Sequence, residues 1–203
     1  MKKSLVAMWR FVSSPYFISL CALLVAAYTL WDAKFNFKLD IAAGRQVKLT
    51  VAKINKEYVS PAILMSLALT NSGGRTNYID DIKLIVTLVS NHKEFWREEF
   101  AAMREYDTLL GDASKMKQTE ILPIVIVGKT TEVKKYVFAP LRNVKPENIP
   151  RSFDLNVEIH TKQGAEWRLG KEYEIKNLSD IWQDLDNQDV WHHTIRDMFE
   201  KIQ

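Results

Sequence analysis

The chain has 203 residues, which is enough for one domain of ordinary size with an anchor and a tail but too few for two full domains. It is 47% hydrophobic and 26% charged, with a formal net charge of +3. This composition argues against wholesale disorder and against the concentrated basic surface of a nucleic-acid-binding protein. The lone cysteine, Cys21, excludes an intramolecular disulfide as well as a cysteine-based zinc site or nucleophile in the folded body.

An uncharged run of 21 residues, 11–31, lies near the N-terminus. As a helix it would span about 31 Å, the thickness of a bilayer's hydrocarbon core. The run therefore predicts a transmembrane helix. Aromatic side chains near its ends are expected to sit at the two membrane interfaces as anchors. These are Trp9, Tyr16, Tyr28 and Trp31.

The charges around this run predict its orientation. Lys2, Lys3 and Arg10 precede it without an acid, whereas the charges directly after it are mixed. This bias places residues 1–10 in the cytoplasm and the rest of a single-pass cell-membrane protein on the extracytoplasmic side. A cleaved signal peptide, with Val25 and Ala27 before the cut, is the alternative. The apolar run continues past that position, which favours an uncleaved anchor.

The body, residues 32–178, changes to a period of two. Apolar and polar residues alternate in a series of short segments separated by turn residues, and the regular crossover helices of a βαβ fold are not predicted. An antiparallel Ig-like β-sandwich is the preferred fold, with a barrel as the alternative. The predicted strands are 35–41, 47–54, 62–69, 82–88, 119–127, 132–138, 153–161 and 166–175.

The segment 92–110 is ambiguous between helix and strand. Phe95, Trp96, Phe100 and Met103 recur every three or four residues, which is typical of an amphipathic helix. The same residues also permit a hairpin that continues from the preceding strand. The helical interpretation is preferred here.

The tail, residues 179–203, is predicted to be an amphipathic helix that begins after Ser179 as N-cap. Its net charge of −4 complements the +4 of residues 32–178. The apolar face needs a cover, so the tail is expected to dock on the body, on a second copy or on a partner protein. The candidate contact residues are Trp182, Trp191, Ile195 and Phe199.

The residues with possible chemistry do not form a recognisable catalytic, metal or cofactor motif. Gly128-Lys129-Thr130 resembles the end of a phosphate-binding loop, but Pro123 replaces the required glycine and strand-like residues follow, so we interpret it as a turn and expect no nucleotide binding. The adjacent pair His192-His193 cannot chelate one ion from a helix. The turn 71–77 contains two glycines. It is interpreted as the turn of a β-hairpin, with a ligand-contacting loop as the alternative.

The preferred functional hypothesis is a membrane-tethered, non-enzymatic interaction or accessory module that presents a periplasmic β-sandwich to an envelope or membrane-protein partner. Its architecture resembles that of small anchored Ig-like domains of bacterial envelopes, although a fold does not fix a function. The alternative is a membrane-associated hydrolase whose histidine, carboxylate and hydroxyl assemble across the fold. The expected partners are the lipid bilayer and a protein, which is either a separate partner or a second copy of the chain. No cofactor, metal or nucleic-acid partner is expected.

Overall fold

The computed structural model describes residues 14–53, 59–106, 118–119, 123–142, 152–179, 190–195 and 199–200. One helix, α1, spans Pro15–Phe35. Ser14 caps its start, because its hydroxyl accepts a hydrogen bond from the amide of Phe17 at 3.2 Å. Pro15 occupies the first turn, where its missing N–H costs nothing. The helix is long and apolar enough to cross a membrane.

The predicted span and the observed helix overlap but differ at both ends. Ser14 is the cap rather than part of the helix, and α1 continues one turn beyond residue 31 to Phe35. Tyr16, Tyr28 and Trp31 lie on α1 and are exposed. Trp9 lies outside the described residues.

Twelve strands follow in the described parts of the chain. They are β1 Leu39–Lys53, β2 Val59–Asn71, β3 Asn77–Ile79, β4 Asp81–Ser90, β5 Lys93–Tyr106, β6 Gln118–Thr119, β7 Ile124–Ile126, β8 Thr130–Pro140, β9 Ser152–Gln163, β10 Glu166–Ser179, β11 Val190–Ile195 and β12 Phe199–Glu200.

Ten of these strands form one antiparallel sheet in the order β11-β1-β2-β8-β5-β4-β9-β10-β12, with β6 attached to β5. The other two, β3 and β7, form a small antiparallel pair. The prediction of a mainly β, antiparallel domain behind one N-terminal helix is confirmed. The Ig-like strand order stays a prediction, since the pairing described here is that of a single continuous sheet.

The sheet curls until β1 approaches β10, which gives a nearly closed barrel or sandwich-like shape. Around Gly44, β1 changes register between Ala43 and Val47. Before this bulge, the amide of Ala43 donates a hydrogen bond to the hydroxyl of Tyr173 at 2.8 Å. After it, residues 47–52 pair with β11. β1 therefore contacts β10 before the bulge and pairs with β11 after it.

The core lies inside this curved sheet and is built by strand alternation. On β9, for example, Phe153, Leu155, Val157 and Ile159 are buried, while the residues between them are partly exposed. The largest fully buried side chains elsewhere include Tyr136, Phe100, Phe138, Met65, Leu67 and Leu69.

The helical interpretation of residues 92–110 is wrong for 93–106, which form strand β5 and pair with β4 and β8. Phe100 is buried, but Phe95 and Met103 are exposed. The three-to-four spacing thus mixes residues from both faces of a strand, and register shifts after Leu88 and after Ala102 disturb its alternation. Residues 107–110 lie outside the described residues.

The predicted C-terminal helix is also wrong where the tail is described. Residues 190–195 pair with β1, and residues 199–200 pair with β10. The backbone donors and acceptors of these segments are thus used by sheet edges, a tertiary interaction that overrides a weak local helical pattern. Trp191 and Ile195 belong to β11 and Phe199 to β12, whereas Trp182 lies outside the described residues.

Candidate functional site

The C-terminal end of α1 joins the sheet through a compact polar junction. We call it the helix–sheet junction and define it as residues 32–38, the loop 71–77 and the turn 127–130. Three residues, 36–38, separate α1 from β1. Their backbone is hydrogen-bonded to the loop: Ser72 N–H donates to the carbonyl of Lys38 at 2.9 Å and Arg75 N–H to that of Asn36 at 2.8 Å. A connection this short and this well bonded ties the C-terminal end of the helix to the sheet.

Asp32 is the acidic centre of the junction and is only 5% exposed. Its Oδ1 accepts a hydrogen bond from the side-chain amide of Asn36 at 2.7 Å. Its Oδ2 lies 3.0 Å from Nζ of Lys129 in an ion pair. A buried charge is tolerated only when it is paired and hydrogen-bonded, so Asn36 and Lys129 explain how a carboxylate can sit at this contact.

Lys129 reaches Asp32 from the turn between β7 and β8. Its backbone has φ 59°, the left-handed region that non-glycine residues rarely adopt. Its N–H donates to the carbonyl of Gly73 at 2.9 Å, which fixes the turn on the loop. The Asp32 carboxylate raises the pKa of the Lys129 ammonium by hydrogen bonding and by charge attraction, and the nearby Tyr28 adds to the shift. The interpretation of 128–130 as a turn is confirmed.

Asn71 organises the loop from the last position of β2 and is fully buried. Its Oδ1 accepts from the amides of Gly73 at 3.0 Å and Lys38 at 3.4 Å. Its Nδ2 donates to the carbonyls of Arg75 at 2.8 Å and Val127 at 3.3 Å. One side chain therefore links the loop, the helix–β1 connection and the turn.

The two adjacent glycines allow the loop to touch the helix. A Cβ on Gly73 would collide with the carbonyl oxygen of Asn36, and one on Gly74 would lie 2.6 Å from Oδ2 of Asp32 and 2.9 Å from the amide of Ala33. Real Cβ atoms do not approach backbone this closely. The turn 71–77 joins β2 and β3, which belong to different sheets and do not form a hairpin, and it contacts α1. A ligand contact at this turn stays a prediction.

The carboxylate–imidazole pair relevant to the hydrolase hypothesis lies elsewhere, on β9. Nε2 of His160 is 3.0 Å from Oε2 of Glu158, and Oε1 of the same carboxylate accepts from Arg97 at 3.1 Å. Glu158 is thus shared with a guanidinium, as in ion-pair networks on sheet surfaces. Among the described residues, no group of three or more His, Cys, Asp or Glu side chains is arranged to hold a metal ion.

The sequence did not pair Asp32 with Lys129, because the two residues are almost 100 positions apart and share no motif. The available signals were separate: an acid directly after the uncharged run 11–31, and the Gly-Gly pair in the turn 71–77. Fold and junction together define a class of architecture: a β-domain fixed to one apolar helix without a flexible linker. No family model matches the chain, and no curated protein matches it at a significant level.

Proposed function

We propose that this protein is a membrane-tethered, non-enzymatic interaction or accessory module, anchored by α1 with its β-domain on the extracytoplasmic side. The observation that carries the proposal is the helix–sheet junction. Apart from Asp32, α1 presents exposed apolar side chains along its length, among them Leu23, Leu24, Val25 and Leu30. Such a surface is costly in water and favourable in lipid. A helix fixed to the domain by Asp32 and Asn71 would set the height and orientation of the sheet above the bilayer.

The orientation is proposed from the charge bias around residues 11–31, with three basic residues and no acid before the run. A periplasmic phosphatase reporter fused after Gln203 should be active in a bacterial host, and the mature protein should retain its N-terminal peptide. A cytoplasm-only reporter that is active at the same position would reverse the orientation. Loss of the N-terminal peptide would identify a signal peptide instead.

The interaction role is supported by the large sheet surface and by two tail segments at its edges. A photo-crosslinking amino acid placed at Trp182, Trp191, Ile195 or Phe199 of the full chain should give a discrete protein adduct in cells. The same amino acid at Phe95, in the distal β4–β5 hairpin, is the control position. Adducts absent from all four positions, together with a monomeric chain in mild detergent, would contradict the proposal.

The hydrolase is the second candidate, and the His160–Glu158 pair is what favours it. Hydrolysis of ester or amide substrates by the purified full chain, lost in His160→Ala, would replace the interaction role with a catalytic one. The bond from Arg97 to Glu158 supports the non-enzymatic role, since it gives the carboxylate a partner unrelated to catalysis.

A further inference from the structure

A small apolar surface lies on the outer face of the β3–β7 pair. We call it the interfacial patch and define it as Tyr78, Val125 and Val127. Tyr78 and Val125 face each other across the two strands, and Val127 lies two residues beyond Val125 on the same side. Their exposed fractions are 51%, 60% and 50%. The opposite face carries the buried Ile79, Ile124 and Ile126, so the outward direction of the patch follows from strict alternation.

The interfacial patch is followed directly by a turn that lies at the end of α1. The carbonyl of Val127 accepts from Asn71, and the next residue, Gly128, packs directly on Gly74. Gly74 in turn touches Asp32 and Ala33. Lys129 reaches back to Asp32, with Nζ 3.0 Å from Oδ2. The turn 127–130 therefore lies beside the last turn of α1.

Aromatic and basic side chains surround this part of the molecule. Trp31 and Phe35 are exposed on α1. Lys34, Lys38 and Arg75 are exposed and cationic, while the nearby Asp32 is neutralised by Lys129. An apolar surface with an amphipathic tyrosine and a basic rim matches the chemistry of the headgroup region, where ring bodies contact acyl chains and cations contact phosphates.

We propose that the interfacial patch is a second membrane contact, at which Tyr78, Val125 and Val127 enter the headgroup region of the leaflet where α1 ends. This inference rests on the proposed anchor. A lipid surface is the occupant because the turn that contains Val127 is bonded to the last turn of α1, where Trp31 and Phe35 are exposed and of the kind found at membrane interfaces. With two attachments, the helix and the patch, the domain would be kept from swinging about the helix axis.

The test measures the depth of single nitroxide labels on the full chain, reconstituted in vesicles of phosphatidylcholine and phosphatidylglycerol. The exposed Cys21 is first replaced by serine, and single cysteines are then introduced as Val125→Cys, Phe95→Cys and Leu24→Cys. Phe95 is a matched control, since it is 50% exposed but lies near the tip of the β4–β5 hairpin. β8 runs from the junction at Thr130 to Pro140, a length of roughly 30 Å, and Pro140 pairs with Phe100, so Phe95 lies beyond the far end of β8.

The readout is the ratio of collision rates with oxygen, which concentrates in lipid, and with a water-soluble nickel chelate. The expected order is Leu24 highest, Val125 severalfold above Phe95, and Phe95 equal to a label in water. A Val125 ratio equal to that of Phe95, with Leu24 still in lipid, would overturn the interfacial patch and leave the anchor intact. A water-like ratio at Leu24 would overturn the anchor and the patch together.

Discussion

At the scale of single residues, the junction depends on polar groups that are buried and fully bonded. The two polar atoms of the Asn71 side chain, Oδ1 and Nδ2, each make two hydrogen bonds. The two glycines made the turn 71–77 distinctive in the sequence, but the contact of this turn with α1 could not be predicted. That contact depends on how the sheet closes, and no local sequence pattern indicates it. The same holds for Asp32 and Lys129, whose pairing joins distant parts of the chain.

Replacement of Asn71 by Ala should destabilise the protein by about 1–3 kcal/mol, since the buried amides and carbonyls that it serves would lose their partners. The expected result is a lower midpoint in guanidinium unfolding of the detergent-solubilised full chain, followed by tryptophan fluorescence. Asn77→Ala is the matched control, because the side-chain Oδ1 of Asn77 accepts an exposed, local hydrogen bond from the amide of its neighbour Tyr78. Equal midpoints for the two variants would contradict the role assigned to Asn71.

At the scale of elements, strand alternation was predictable and tertiary pairing was not. Segments such as 62–69, 82–88 and 153–161 lie within β2, β4 and β9. Their buried and exposed positions follow from a period of two. The errors fall on β5 and on the tail, where apolar residues at helical spacing are used by strands. In both places neighbouring strands supply the hydrogen bonds. The partners of the tail, β1 and β10, and one partner of β5, β8, are not adjacent in the sequence, whereas the other partner of β5, β4, forms the hairpin that was the alternative interpretation.

Truncation of the tail should lower stability in two steps. A chain ending at residue 195 loses only β12, which pairs with Tyr173 and Glu174. A chain ending at residue 189 also loses β11, which pairs with six residues of β1, Val47–Ala52. Because three of these, Val47, Leu49 and Val51, are buried, the second truncation should expose apolar surface and lower the melting temperature more. The ranking is checked by thermal unfolding followed by circular dichroism, and equal melting temperatures for all three chains would contradict it.

At the scale of the whole molecule, the helix and the sheet form one connected unit. The sequence predicted both parts and their order, and placed the boundary at residues 31 and 32. The structure extends the helix to Phe35 and moves the three-residue connection to residues 36–38. The amphipathic pattern of the sequence cannot predict the helix–sheet junction, because the groups that form it are polar side chains, glycines and backbone atoms. If α1 is the proposed anchor, this contact would set the orientation of the domain relative to the membrane.

Gly74→Val should loosen the domain from the helix while leaving the sheet folded. The new side chain would begin 2.9 Å from the amide of Ala33 and 2.6 Å from Oδ2 of Asp32, so either the loop or the helix must move away. The hydrophobic core does not include this contact, so the sheet should keep its circular dichroism spectrum.

Nitroxide labels at Leu24→Cys and Phe95→Cys, in the Cys21→Ser background, report the helix-to-hairpin distance by pulsed electron paramagnetic resonance. The distribution should be narrow in the parent protein and broad in Gly74→Val. Ser72→Val, at an exposed neighbouring position, should keep it narrow. A distribution that stays narrow in Gly74→Val would show that the orientation of the domain is fixed by something other than the helix–sheet junction.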